Sequence, residues 1–237
     1  MASAYRQREC TPSFWLLHES SMMKTLHNCL AAGALALAAL LPATAHSQSR
    51  VVLTEGFDDV NALPNWSFIN DSNPAGLSWF QGNASIFPAQ AGAADAYIAA
   101  NFLSAAGGAG SLGNWLVTPA LSLLGPSTLS FFARADKQPG FNDTLEVLFS
   151  SGVGLSSFEL ISVVGGIDTF PTSWQQFNAS VDYTGTGRFA FRYTGDAAAS
   201  NYIGLDTVNI TTVPEPSAYL MLLVGLGGLA WLRRKFT

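Results

Sequence analysis

Between residues 46 and 212 the chain alternates apolar and polar positions with a period of two. Gly187 to Thr194 sets Phe189, Phe191 and Tyr193 on one face and Arg188, Ala190 and Arg192 on the other, the pattern of a half-buried strand. Thr144 to Phe149 repeats it with Leu145, Val147 and Phe149. Thr128 to Arg134 opposes Leu129, Phe131 and Ala133 to Ser130, Phe132 and Arg134, which is apolar on one face and mixed on the other and predicts a central strand. Further strands are expected at Val51 to Phe57, Trp66 to Asn70, Leu77 to Phe80, Asp95 to Phe102, Asn114 to Thr118, Ser157 to Val163, Trp174 to Val181 and Tyr202 to Thr211. Clusters of Gly, Pro, Asn, Asp and Ser separate them, and no stretch carries a helical stripe, so the pattern predicts an all-β sandwich. Ser104 to Gly113, rich in Gly, Ala and Ser, is expected to be a mobile surface loop, and Asp136 to Asn142 a long hairpin connection.

Two stretches break the alternation. Near the start, Lys24 and His27 precede an apolar run from Cys29 to Leu41, followed by Ala43-Thr44-Ala45. That is the order of a secretory signal peptide, with small residues Ala43 and Ala45 flanking the cleavage site and residue 46 as the mature start. The expected signal peptide is 22–45; residues 1–21 read as a start-site artefact ahead of Met22-Met23. At the other end, Val213-Pro214-Glu215-Pro216-Ser217 is held extended by its two prolines. An apolar run from Ala218 to Leu232 follows, then Arg233, Arg234 and Lys235. The run has no polar face, which speaks against a surface helix packed on a core. It is about 15 residues long, shorter than the roughly 20 that a bilayer core asks for. The basic cluster directly behind it is the charge asymmetry that stops a C-terminal segment from crossing, so a single transmembrane helix is expected over 218–232.

Composition narrows the function. Cys10, Cys29, His18, His27 and His46 all lie at or before the expected mature start, so the body contains neither residue type. Serine and cysteine nucleophile triads that use histidine are thereby excluded, as are the usual catalytic zinc sites. From His46 to Ser217 there are five basic and fourteen acidic residues, a net charge of −9. Such a surface repels nucleic acid and anionic lipid.

The C-terminal arrangement resembles the PEP-CTERM sorting signal, matched by Pro214, Glu215 and Pro216, the apolar helix and the Arg-Arg-Lys end. The resemblance implies export through the Sec translocon and signal peptidase, an inner-membrane-anchored precursor, and processing by an exosortase that delivers the body to the cell envelope or the extracellular space of a Gram-negative bacterium. The body resembles the choice-of-anchor J domain. The carriers are Glu55-Gly56-Phe57-Asp58, Leu63-Pro64-Asn65-Trp66, Trp115-Leu116-Val117-Thr118-Pro119, Leu129-Ser130-Phe131-Phe132-Ala133-Arg134, Asp143-Thr144-Leu145-Glu146-Val147 and Ile203-Gly204-Leu205-Asp206, in the family's order. That resemblance implies a jelly-roll β-sandwich over 46–212 akin to cleaved-adhesin and MAM-type modules, with no common activity.

Three sets of residues are candidates for chemistry. Glu55 shares a strand face with Leu53 and Phe57, and Asp206 one with Val208 and Ile210. If these faces point inward, Glu55, Asp58 and Asp206 converge as oxygen ligands for a structural Ca²⁺, a site that the resemblance also implies; otherwise they accept backbone N–H bonds or pair with Arg134 or Arg192. Trp79 and Trp174, among Asn, Ser, Gly and Gln neighbours, are the candidate stacking platforms of a lectin-like module that holds exopolysaccharide. A glycoside hydrolase is the remaining enzyme reading, since it needs only two carboxylates; Glu146 and Glu159 lie on different expected strands. The expectation is a non-catalytic body.

Overall fold

The computed structural model describes residues 48–166, 169–214 and 218–235. The expected signal peptide with Ala43 and Ala45, residues 1–21, and Glu215 and Pro216 of the sorting motif lie outside the described residues. A body formed by Ser47–Pro216 separates from the chain's two ends.

Among the described residues the body has ten strands, all paired antiparallel: β1 (Arg50–Glu55), β2 (Ser67–Asn70), β3 (Phe80–Gln81), β4 (Ile98–Asn101), β5 (Ser111–Val117), β6 (Leu121–Ala135), β7 (Thr144–Ser150), β8 (Glu159–Gly165), β9 (Gln175–Asp196) and β10 (Tyr202–Thr212). They form two sheets that share one strand. The first runs β3-β4-β10-β6-β9, with β1 pairing the end of β10 beyond β4. The second runs β2-β5-β9-β7-β8. β6 lies between β10 and β9, as its two-sided pattern predicts.

β9 belongs to both sheets because it bends. Residues 175–187 pair with β6, and residues 188–196 run between β5 and β7. The sequence predicts two strands here, Trp174 to Val181 and Gly187 to Thr194; the structure has one strand of 22 residues. Gly185 adopts φ +138°, and a Cβ at Gly187 would stand 2.5 Å from the Phe149 ring. The glycines therefore provide a bend and a close approach inside a strand rather than a turn between strands. Alternation keeps its phase through the bend. Ala179 on one side, and Phe189, Phe191 and Tyr193 on the other, enter the same core as Leu129, Phe131, Ala133, Ile203, Leu205, Val208 and Ile210. Each fully buried Phe or Leu of this kind contributes about 1.5–3 kcal/mol relative to exposure, and the body has no disulfide to add to that.

Two connections differ from expectation. Ser104 and Ala105 are fully buried, and Ser111 to Gly113 are the first rungs of β5, facing Asp196, Gly195 and Thr194 of β9. The small residues of this stretch serve close packing instead of mobility: a Cβ on Gly110 would lie 2.1 Å from the Asn73 carbonyl oxygen, and one on Gly76 2.3 Å from that of Leu103. The Asp136 to Asn142 segment is a crossover from the first sheet to the second, not a hairpin, since β6 and β7 do not pair. The strand expected from Leu77 shrinks to Phe80–Gln81.

The C-terminal unit contains helix α1 (Ala218–Lys235), 18 residues that continue past the expected Leu232 through the basic cluster. At ~1.5 Å per residue it is ~27 Å long, against the ~30 Å of a bilayer core. With Arg233, Arg234 and Lys235 occupying its last turn, it does not meet the transmembrane expectation: among the described residues no helix is long and apolar enough to cross a membrane. Leu223, Leu226 and Leu229 are exposed.

Candidate functional site

The functional geometry starts from an irregularity in β10. Ile203 and Leu205 enter the core, and so do Val208 and Ile210, which cannot happen in a regular strand because the two pairs differ in parity. The ladder with β6 slips between Asp206 and Asn209, and Thr207 takes φ +50°. A bulge of this kind re-aims side chains. Asp206 thus leaves the core face that it was expected to share with Val208 and Ile210 and joins Gly204 on the outer face of the first sheet.

That outer face is covered by a strap, residues 82–97, running between β3 and β4. Its base is a cluster of aromatic rings. Phe87 stacks on Tyr97 with centroids 5.1 Å apart, and Trp174 meets both edge-on at 5.6 Å. Tyr202 approaches Phe87 at 5.4 Å. Gly204 makes room for them, since a Cβ there would stand 2.9 Å from Tyr97 and 3.0 Å from both Phe87 and Trp174. The Arg134 guanidinium lies 4.0 Å over the Phe87 ring and donates from Nη2 to the Thr172 carbonyl at 2.9 Å. Burial pushes this guanidinium below its ordinary value, while the ring face and the carbonyl favour the cation.

Polar pins hold the strap to the sheet. The Gln90 and Ala91 N–H groups donate to Asp206 Oδ2 at 2.8 and 3.1 Å. Thr207 N–H donates to Oδ1 at 2.5 Å, and the Thr207 hydroxyl to Gln90 Oε1 at 2.7 Å. Trp174 Nε1 donates to the Pro88 carbonyl at 2.9 Å. Asn83 N–H donates to the Tyr97 hydroxyl at 2.9 Å, which lies 3.1 Å from that of Tyr202. Burial raises the Asp206 carboxyl, and the Ala91, Gln90 and Thr207 donors pull against it. Burial also raises Tyr97 and Tyr202.

The structure places the candidate residues as follows. Asp206 accepts from strap amides on the outer face, Glu55 Oε1 accepts the Phe57 N–H at 2.8 Å, and Asp58 is exposed. Among the described residues no three His, Cys, Asp or Glu side chains are grouped to hold a metal ion. For Glu55 and Asp206 the backbone-acceptor alternative is the one seen; Arg192 instead pairs with Glu146. Of the two stacking candidates, Trp79 is only 5 % exposed and donates from Nε1 to the Asn114 carbonyl at 3.2 Å, so it offers no face to a sugar. Trp174 is half-buried in the strap cluster. Sequence reasoning missed the strap altogether. Its one legible signal is Gly204 in the middle of a core strand, a position that marks the close approach of other groups.

The other functional feature is where the body ends. Thr212 is fully buried at the last rung of β10, opposite Arg50 of β1 and Ser127 of β6. Its Oγ1 accepts the Leu124 N–H at 2.9 Å and lies 2.9 Å from the Ser127 hydroxyl. Val213 N–H then donates to the Pro126 carbonyl at 2.8 Å. Pro214 is the next residue.

Residues 212–235 match the PEP-CTERM protein-sorting motif. The chain therefore carries this motif at its C-terminal end, and such a motif marks a protein for exosortase processing and export to the cell envelope. The body is similar to two cleaved adhesin domains of Lys-gingipain from Porphyromonas gingivalis W83. The K3 domain has 26% identity, a TM-score of 0.53 and coverage of 70% of this chain and 99% of that one. The K1 domain has 26% identity, a TM-score of 0.54 and coverage of 70% and 98%. The K2 domain shares the fold at 18% identity, with a TM-score of 0.52 over 70% of this chain and all of that one. No curated protein matches the sequence.

Proposed function

We propose that the chain is an exported surface protein whose adhesin-like, non-catalytic sandwich, with jelly-roll winding over 46–212, is delivered by its tail. The signal peptide 22–45 takes it through the Sec translocon and is removed after Ala45 by signal peptidase. The apolar run of α1, too short to span the bilayer by itself, then holds the precursor at the inner-membrane surface together with the basic residues Arg233, Arg234 and Lys235. An exosortase recognises Pro214, Glu215 and Pro216 and separates the body from the helix. The observation that carries this reading is the sorting motif at 212–235, beginning where the sandwich is complete.

Two features of the body support a structural or adhesive role over catalysis. Its buried carboxylates are engaged in holding the fold, Asp206 by strap amides and Asp143 by the Tyr193 hydroxyl and the Asn201 N–H. Its strongly placed cation, Arg134, is packed on Phe87. A role in holding exopolysaccharide through Trp174 is the glycan-binding variant of the same surface function.

The test is to purify the protein from its native host, fractionate the cells and determine both termini by mass spectrometry. A mature form in the envelope or medium that begins near His46 and lacks α1 is expected. An intact polypeptide in the cytosol overturns the reading.

A further inference from the structure

We propose that the open edge of β9, residues 175–183, pairs antiparallel with the same edge of a second copy of this chain, joining the first sheets of two bodies into one continuous sheet. Such pairing is a property of the body alone and does not depend on processing of the tail.

β6 occupies one side of residues 175–187 and pairs with them rung for rung, without a register shift. On the opposite side β7 reaches only to Arg188, and among the described residues no strand or loop backbone takes over from there back to Gln175. The main-chain N–H and C=O groups that point away from β6 are therefore open along this edge, a template for another extended chain. Other edge strands are blunted: β2 has four residues and β3 two, and a register shift interrupts the ladders of β1 and β8. Residues 175–187 contain no Lys, Arg, Glu or Pro, and Asp182 is their one charge. The bend at Gly185, with φ +138°, limits the flat part to 175–183, which is ~30 Å long at ~3.4 Å per residue.

The side chains of the edge select a second copy as its occupant. A two-fold axis through Ala179 sets Phe177 opposite Val181, Asn178 opposite Ser180 and Gln176 opposite Asp182, so no like charges meet. Phe177, Val181 and Tyr183 are half-buried, packed against the rim of the core. Pairing covers Phe177 of each copy with Val181 of the other and removes apolar surface from water. On the outer face Gln176, Asn178, Ser180 and Asp182 are exposed, and across the axis amide and hydroxyl donors meet hydroxyl, amide and carboxylate acceptors. With the body at a net charge of −9, an edge this nearly uncharged is where two copies approach against little repulsion.

The experiment measures association of the purified full chain in detergent by sedimentation velocity, with hydrogen exchange read at the amides of residues 175–183. A dimer is expected, and with it slower exchange at 175–183 as concentration rises. Asn178→Asp combined with Ser180→Asp opposes carboxylates in two symmetry-related pairs at exposed positions, and is expected to weaken association on the order of ten-fold. Asn178→Lys combined with Ser180→Lys is expected to weaken it likewise. Mixing the two double variants is expected to restore association, which also shows that both are folded. A parent chain that stays monomeric overturns the proposal, including one whose edge gains protection only from a different protein. So does association that both double variants leave unchanged, since the contact then lies on another surface, such as the exposed Leu223, Leu226 and Leu229 of α1. Two weakened variants whose mixture does not associate overturn it as well.

Discussion

Asp206 Oδ2 accepts the Ala91 N–H at 3.1 Å across 115 residues of sequence. This bond and its neighbour from Gln90 couple the bulge in β10 to the strap, beside the aromatic cluster and the Trp174 to Pro88 bond. Asp206→Ala is expected to leave the backbone donors of Gln90, Ala91 and Thr207 without this partner and to cost about 2–4 kcal/mol, near the upper range for a charged acceptor. Native-state hydrogen exchange should show the loss concentrated at residues 83–97 and much less at Leu129 to Ala133.

The same carboxylate gives stability a pH dependence. Burial raises Asp206, and also raises Asp143 despite its bonds from Tyr193 and Asn201. A carboxyl whose folded pKa is raised binds its proton more tightly in the folded state. Its contribution is complete below the unfolded value, 3.8 in both cases, and is lost as pH rises through the folded value. These two groups thus favour the fold at the acidic end and work against it towards neutrality. Urea midpoints measured from about pH 4 to 7 should reveal this as a downward component. In Asp206→Asn it should be smaller.

Arg134 tests how the strap is seated. With its guanidinium 4.0 Å over Phe87 and bonded to the Thr172 carbonyl, Arg134→Met keeps most of the packing and loses the cation. A cost of about 1–2 kcal/mol is expected, combining the cation–π interaction with one hydrogen bond. Arg134→Ala should cost more because the side-chain stem also covers apolar surface. Thermal unfolding of both variants checks the order.

Gly204→Ala should be poorly tolerated. The added methyl would meet Tyr97, Phe87 and Trp174 at 2.9 to 3.0 Å, and overpacking of this sort costs about 1–3 kcal/mol. Because the clash is on the outer face, Trp174 fluorescence should shift while the circular dichroism of the sheets is retained. An unchanged emission spectrum would mean that Trp174 is not seated as described.

Much of the architecture was legible because period-two alternation survives in the long strands. Leu129, Phe131 and Ala133 of β6, and Phe189, Phe191 and Tyr193 of β9, are buried where that pattern puts them. Legibility failed where glycine and small residues were read by their most common meaning. The stretch from Asp182 to Thr186, with Gly185, reads as a break between two strands but is a bend in a continuous one, and Ser104 to Gly113 reads as loose but packs against residues 73–77. The Asp206 bulge changes the phase of β10 by one residue, and no local composition announces it. It therefore turned a core-facing carboxylate into a strap anchor, accepting from Gln90 and Ala91.

The sequence alone determined the all-β class, the absence of thiol and imidazole chemistry from the body, and the sorting motif, because each is carried by periodicity, residue type or order along the chain. Tertiary structure decided which face Asp206 occupies, that Trp79 is enclosed, that one strand serves two sheets, and that the body closes at Val213 directly before Pro214. Those outcomes depend on register and on contacts between segments far apart in the chain, such as Asn209 with Thr54, 155 residues away. Local pattern holds no record of such pairings until the chain is folded.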